Sequence, residues 1–409
     1  MRAEIVTVGN EILSGDTVDT NSAFIGRKLT ELGVQVEWIT SVGDTQDDIR
    51  RAFETALGRV DLVIVTGGLG PTHDDATKKV FARLFEKKLV LNEQILRKVR
   101  AKFQKRGMAM PQVNVGQAMV PEAVELLENR FGTAPGFHLE QHEKHIFLLP
   151  GVPREMRQML EEGVVPVVSK LARREEICRL TLRTTGISES ALFERLKGLK
   201  EMATVAFLPG YSGVDIRITV RGRRAGERLE RTAEQIRQLA GDFVYGVEKE
   251  SLEEVVGRQL KRLGLKLAVA ESCTGGLIAH RLTNIPGSSD YFERGVVTYS
   301  NESKVQLLGV PEETIRRYGA VSARTAEAMA SGVRKLADTD IGLSTTGIAG
   351  PTGATPTKPV GLVFIGLSTA EKTVSRKFQF GEDRLVNKER MSQAALEMLW
   401  RKLKGREAK

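Results

Sequence analysis

DLVIVTGGLGPTHDDATKKVFARLF, residues 61–85, holds a strand, a glycine-rich turn and the opening of a helix. The run from Leu62 to Val65 is continuously apolar, as in a strand buried on both faces. Gly67, Gly68 and Gly70 admit positive φ and let the backbone approach a ligand closely. A helix from about Asp75 to Phe85 is predicted next, and its free N–H groups complete a phosphate cradle. Working outward, AEIVTV (3–8) reads as a strand and residues 20–32 as a helix on the spacing of Phe24, Ile25 and Leu29, stopped by Gly33. VQVEWIT (34–40) reads as a second strand and Asp47 to Leu57 as a second helix ended by Gly58. This βαβα order predicts a mostly parallel sheet covered on both faces.

Loops after parallel strands gather at one rim, where α/β proteins bind ligands. GNEIL contributes Gly9, Asn10 and Glu11, VGD contributes Asp44, and the glycine turn continues into Pro71 and Thr72. Asp74 and Asp75 stabilise a helix N-terminus by about 0.3–1 kcal/mol and need no further role. Set beside an anion site, however, two carboxylates call for a divalent cation between them and the anion.

Texture changes over residues 171–247. ICRLTLRTTG (177–186) and VDIRITVRG (214–222) alternate like strands, with helices over 188–200 and 226–240, a small α+β unit. A second α/β block fills 248–409. Ser251 and Glu254 form a capping box. KLAVA (266–270), GVVTYS (295–300), IGLSTTG (341–347) and VGLVFIGLS (360–368) read as strands, with helices over 323–337 and from about 383 to 403.

The 409 residues suit two to three domains. No stretch approaches the roughly 20 apolar residues of a spanning helix. The chain opens directly into a strand pattern without an export signal, which predicts a cytoplasmic location. Cys178 and Cys273 make no disulfide framework and no CxxC zinc pair. Net charge is +9, spread as −1 over 1–170, +4 over 171–247 and +6 over 248–409. With 5% aromatic residues, few platforms exist for stacking single strands, so solvated helix faces explain the basicity better than nucleic-acid binding. His138, His142 and His145 have metal-like spacing, but GFHLEQHEKHIFLLP (136–150) reads as strand, turn, strand. That arrangement scatters the rings over both faces and predicts surface histidines.

KLAVAESCTGGLIAHRL (266–282) places Ser272, Cys273 and Thr274 at a strand–helix junction, before Gly275 and Gly276. Helix capping alone accounts for such hydroxyls. A catalytic reading makes Ser272 or Cys273 a nucleophile beside Glu271, with backbone N–H groups of the turn, those of Gly275 and Gly276, as an oxyanion hole at the substrate. No histidine stands in a recognisable Cys–His signature. VVTYSNESK (296–304) supplies Tyr299 and Lys304, and lysine serves as a base when burial keeps it partly neutral. STTGIAGPTG (344–353) adds a third strand-end loop.

These residues carry a resemblance. TGGLGPTHDD resembles the motif of the molybdopterin-binding fold shared by MoaB and MogA proteins. With GNEIL, FGTAPGF (131–137) and LPGVPREM (149–156), residues 1–170 resemble the N-terminal domain of the CinA family. AESCTGG, PGSS, VTYSNESK, GAVS, TGIAGP and KPVG, in that order, resemble its C-terminal domain, which also occurs alone as the nicotinamide-nucleotide amidase PncC. The resemblance implies a bifunctional hydrolase. Its front domain would split ADP-ribose into AMP and ribose 5-phosphate with a divalent cation, using Asp74 and Asp75 as metal or base residues. Its back domain would deamidate nicotinamide mononucleotide with Ser272, Tyr299 and Lys304, needing no cofactor, with Thr346 and Gly347 of TGIAGP at the substrate. A KH-like middle domain and a homodimer are also implied. The GxxG of the middle segment, GYSG (210–213), leads into a strand rather than joining two helices, against nucleic-acid clamping. Residues 171–247 read as a spacer or interface. The rival reading is a competence or DNA-damage accessory protein with inactive sites that binds nucleic acid.

Overall fold

The computed structural model describes residues 1–70, 76–105, 107–172, 177–199, 203–381 and 383–407. It divides into two compact units, one up to Ile177 and one from Cys178 onward, with Arg221–Arg223 grouped with the first.

The first unit is built on strands β1 (Arg2–Val8), β2 (Gln35–Val42), β3 (Leu62–Thr66), β4 (Leu89–Leu91), β5 (Met119–Pro121), β6 (Glu125–Leu127), β7 (Gly136–Gln141) and β8 (Lys144–Leu149). Six of them form one sheet in the order β2-β1-β3-β8-β7-β6, while β4 and β5 pair as a separate ribbon. Pairing is parallel from β2 to β8 and antiparallel at β7 and β6. The mostly parallel expectation therefore holds, with an antiparallel edge added by the β7–β8 hairpin, whose short turn permits only antiparallel pairing. Every residue of β3 is buried, with one apolar cluster around Phe53, Val63 and Val65 and another around Ile25, Leu62 and Ile64. Helices Thr20–Glu31 and Gln46–Arg59 cover the sheet. The second helix runs through Gly58, past its predicted end. Its last residue, Arg59, reaches the buried carboxylate of Glu4 with two hydrogen bonds of 2.7 and 2.8 Å and lies over Trp38.

Within the second unit, β9 (Ile177–Thr184), β10 (Thr204–Gly210), β11 (Gly213–Arg221) and β12 (Val244–Val247) form a sheet ordered β10-β11-β9-β12. Helices Glu189–Leu196 and Ala225–Ala240 contribute to its core. GYSG is the turn of the β10–β11 hairpin, with Gly210 paired to Gly213. The following sheet comprises β13 (Leu267–Glu271), β14 (Phe292–Val297), β15 (Ile341–Gly347), β16 (Leu362–Ser368) and β17 (Thr373–Gln379), ordered β14-β13-β15-β16-β17. Strands β14, β13 and β15 are parallel, and β16 and β17 return antiparallel. Ser251 and Glu254 make both bonds of the capping box. The two parts of this unit are stitched together. Gln393 of the terminal helix Arg384–Glu407 donates to Thr185 Oγ1 at 3.1 Å, and Trp400 meets Tyr245 edge-on. A bare spacer does not describe residues 171–247.

No helix among the described residues is long and apolar enough to cross a membrane.

Candidate active sites

The second unit's site forms where β13 ends. Ser272 N–H donates to Thr345 O of β15 at 3.0 Å, which fixes the serine between two parallel strands. The chain then turns sharply, and Gly275 and Gly276 take positive φ of 60° and 93°. A side chain at either would be strained. Glu271 lies beneath this turn, almost fully buried, and accepts from the N–H groups of Gly276, Ile278 and Ala279 at 3.0, 3.1 and 2.8 Å. It caps helix Leu277–Thr283 and does not serve Ser272. Gly275 N–H in turn donates to Ser272 O at 3.1 Å. The expectation that Gly275 and Gly276 offer an oxyanion hole is corrected, because both N–H groups are already engaged.

Lys304 arrives from the first turn of the neighbouring helix, Asn301–Leu308. The strand predicted to reach Ser300 ends at Val297, since Ser300 instead caps helix Asn301–Leu308 by accepting from Ser303 N–H at 3.0 Å. This releases three successive carbonyls to one point. Lys304 Nζ donates to the carbonyls of Thr298, Tyr299 and Ser300 at 2.9, 3.2 and 3.3 Å and lies 3.2 Å from Ser272 Oγ. The lysine is 1% exposed. Burial lowers its pKa from the ordinary value, opposed by Cys273 and Glu302. An ammonium has three protons for these four oxygens. A neutral amine would give two to carbonyls and turn its lone pair to the serine hydroxyl.

Cys273 is disfavoured as a nucleophile by its surroundings. Burial pushes its thiol up to about 12, so almost no thiolate exists near neutrality. Tyr299 joins Lys304 through its carbonyl, while its exposed phenol accepts from Arg384 Nη2 at 2.9 Å. The same guanidinium holds Gly350 O at 2.7 Å. Arg384 was not anticipated, because at the head of a charged helix it reads as a solvated residue. Thr346 is buried and spends its hydroxyl on Ala320 O at 2.7 Å, tying the GAVS and TGIAGP segments together. Gly347 follows where any side chain would crowd the Leu362 carbonyl. The proton of the Thr346 hydroxyl is thus committed to holding these two segments together.

The first unit's site is a cavity of about 630 Å³ lined by Gly9, Glu11, Asp44, Gly67, Gly68 and Gly70, as the loop argument anticipated. Gly67, at φ 109°, passes so close to Val8 O that a methyl group would overlap it. Asn10 staples two of the loops, its N–H donating to Asp44 Oδ2 at 3.1 Å. Pro71, Thr72, Asp74 and Asp75 lie outside the described residues. Among the described ones, no three His, Cys, Asp or Glu side chains converge closely enough to hold a metal ion. Gln117 lines the same cavity and was not anticipated, while Thr133 of FGTAPGF and Gly151 and Glu155 of LPGVPREM line it from motifs quoted above without a role for the single residues.

Two of the three histidines contradict their expectation, while His142 is exposed as expected. His138 and His145 are 7% and 5% exposed, and His138 Nε2 lies 3.2 Å from His145 Nδ1. The hairpin pairs His138 with Phe147 and Glu140 with His145, which sets the two rings on one face. His138 stacks on Phe147 and its Nδ1 lies 2.7 Å from Glu125 Oε2.

Comparison with known proteins follows the same division. Residues 4–170 match the family model described as "Probable molybdopterin binding domain", 179–246 the "Damage-inducible protein CinA KH domain" and 249–403 the "CinA C-terminal domain". A chain of Caldicellulosiruptor saccharolyticus named for competence-damage induction is 47% identical over 405 residues, 98% of each chain. A CinA-like protein of Kosmotoga olearia is 44% identical over 98% of this chain and 99% of its own. A solved structure of a Thermoplasma acidophilum CinA protein is 42% identical over 39% of this chain and 94% of its own, with a TM-score of 0.36. With that identity across nearly its whole length, the chain belongs to the CinA family.

Proposed function

We propose that the protein is a bifunctional cytoplasmic hydrolase, acting as a homodimer on two small nucleotides. The second unit deamidates nicotinamide mononucleotide to nicotinate mononucleotide and ammonia. The first splits ADP-ribose into AMP and ribose 5-phosphate. The observation that carries the amidase reading is the 3.2 Å approach of a fully buried lysine amine to Ser272 Oγ. In this reading Ser272 Oγ attacks the carboxamide carbon while its proton passes to Lys304 Nζ. The tetrahedral intermediate collapses as Lys304 returns that proton to the departing nitrogen, which leaves as ammonia. Water, deprotonated by the same amine, then bonds to the acyl carbon, the C–Oγ bond breaks, and Lys304 returns the proton to Ser272 Oγ as the acid product leaves. Incubating the protein separately with each nucleotide and resolving the products by chromatography tests both activities.

The base must be neutral to act. Because burial lowers the Lys304 pKa, deamidation should climb with pH through a value below the ordinary lysine range and then level off. A rate independent of pH from 6 to 10, measured with saturating substrate, would remove Lys304 as the base.

For the front unit, the glycine loop would hold phosphate, and a divalent cation on Asp74 and Asp75 would offset charge on the leaving phosphate. ADP-ribose turnover should fall at least tenfold on chelation and return when a divalent salt is added back. Undiminished turnover in excess chelator would take the cation out of the reaction.

A further inference from the structure

We propose that Glu155 is the carboxylate that activates water at the front site and that Asn129 is the residue that positions it, an inference resting on the pyrophosphatase reading. Glu155 opens helix Pro153–Met159, where an acidic side chain ordinarily needs no role beyond favouring the helix N-terminus. Its surroundings ask for more. Asn129 Nδ2 donates to Glu155 Oε2 at 2.7 Å and to Ala134 O at 2.8 Å. Asn129 Oδ1 accepts from the N–H groups of Phe131 and Gly132 at 3.1 and 2.5 Å. One amide side chain therefore both folds the 129–134 loop and aims the carboxylate.

Gly132 completes the arrangement. The carboxylate lies so close to its α-carbon that any side chain there would overlap both oxygens. From the far side, Lys102 Nζ donates to the carbonyls of Asn129 and Gly132 and holds the loop down. Glu155 is half-buried and lines the same cavity as Gly67, Gly68 and Gly70. Among the described residues its Oε1 makes no hydrogen bond of the kind that Oε2 makes, so that oxygen can take a proton. By contrast Glu11, which lines the same cavity, is exposed.

The step is a hydrolysis. A water O–H proton passes to Glu155 Oε1 as the water oxygen bonds to one phosphorus of the diphosphate. The bridging P–O bond breaks, and its electron pair leaves on the other phosphate. A positioned base of this kind contributes about 10²–10⁴-fold to rate.

The test uses the full-length protein, ADP-ribose and a saturating divalent cation. Glu155→Gln should lower kcat at least 100-fold with KM changed less than threefold and thermal unfolding unchanged. Asn129→Asp keeps the two acceptor bonds to the loop, gives up the donation to Ala134 O and sets a second carboxylate against Glu155. That disfavours the ionised pair, so the acidic limb of the kcat–pH profile should move to higher pH. Glu11 and Asp44 share the cavity, Lys102 stays on the loop carbonyls and Arg154 lies over Phe131, all retained in this variant. The shift thus reads the added charge. If Glu155→Gln keeps more than half of kcat, or, should that variant fail to fold, if Asn129→Asp leaves the limb in place, Glu155 is not the base while the pyrophosphatase reading stands. If the unmodified protein releases no AMP from ADP-ribose, both fall together.

Discussion

Ser272→Ala and Lys304→Ala should each reduce deamidation of nicotinamide mononucleotide by a factor of about 10³ or more, and the double variant should be little worse than either. Nucleophile and base act as a unit, so their losses do not add. The geometry gives the reason. Among the described residues Lys304 Nζ meets three backbone carbonyls and Ser272 Oγ, and once the hydroxyl is gone the amine has no proton to take from it. Cys273→Ala should keep most of the turnover, because a thiol pushed up to about 12 supplies no nucleophile at neutral pH. Steady-state ammonia release by the four variants decides the matter. A dead Cys273→Ala beside an active Ser272→Ala would move the nucleophile to sulfur.

Glu271→Ala should be among the most destabilising substitutions in the second unit, although the residue touches no reacting atom in the proposed mechanism. Three N–H groups of one helix end converge on its carboxylate, and two of them belong to the residues just after the serine turn. A buried donor left without a partner costs about 1–3 kcal/mol, more where the lost partner was charged. Partial recovery by water would leave a loss of about 3 kcal/mol or more, read as a lower urea midpoint for the second unit with an unchanged slope. Glu271→Gln should recover part of it, since the amide oxygen accepts while its NH₂ faces donors it cannot bond. An unfolding midpoint within error of the parent would mean that the cap contributes little.

Much of the architecture was legible because hydrophobic period and punctuation agreed. Continuous burial in LVIVT, the Ser251–Glu254 box and the glycines of the two strand-end turns each pointed to one local structure. Strands β10, β12 and β17 escaped for specific reasons. TVAFLPG carries a proline and a glycine, VYGV is four residues long, and TVSRKFQ is an edge strand with little burial. The histidines misled because face alternation was counted along one chain, whereas a tight hairpin folds the second strand back so that 138 and 145 meet. Lys304 was legible by residue type, but the three carbonyls that surround it exist only because Ser300 caps a helix. Glu155 was invisible in sequence: PREM reads as an ordinary helix start, and nothing local announces that Asn129, 26 positions earlier, holds its carboxylate.

The high proton affinity of Cys273 reaches beyond the choice of nucleophile. Alkylating and oxidising reagents attack thiolates and pass over protonated, enclosed thiols. A sulfur one residue from the reactive serine would ordinarily be a weak point under oxidative stress. Here the sulfur is enclosed, and if the proposed oxygen and amine chemistry holds, deamidation should survive reagents that silence thiol enzymes.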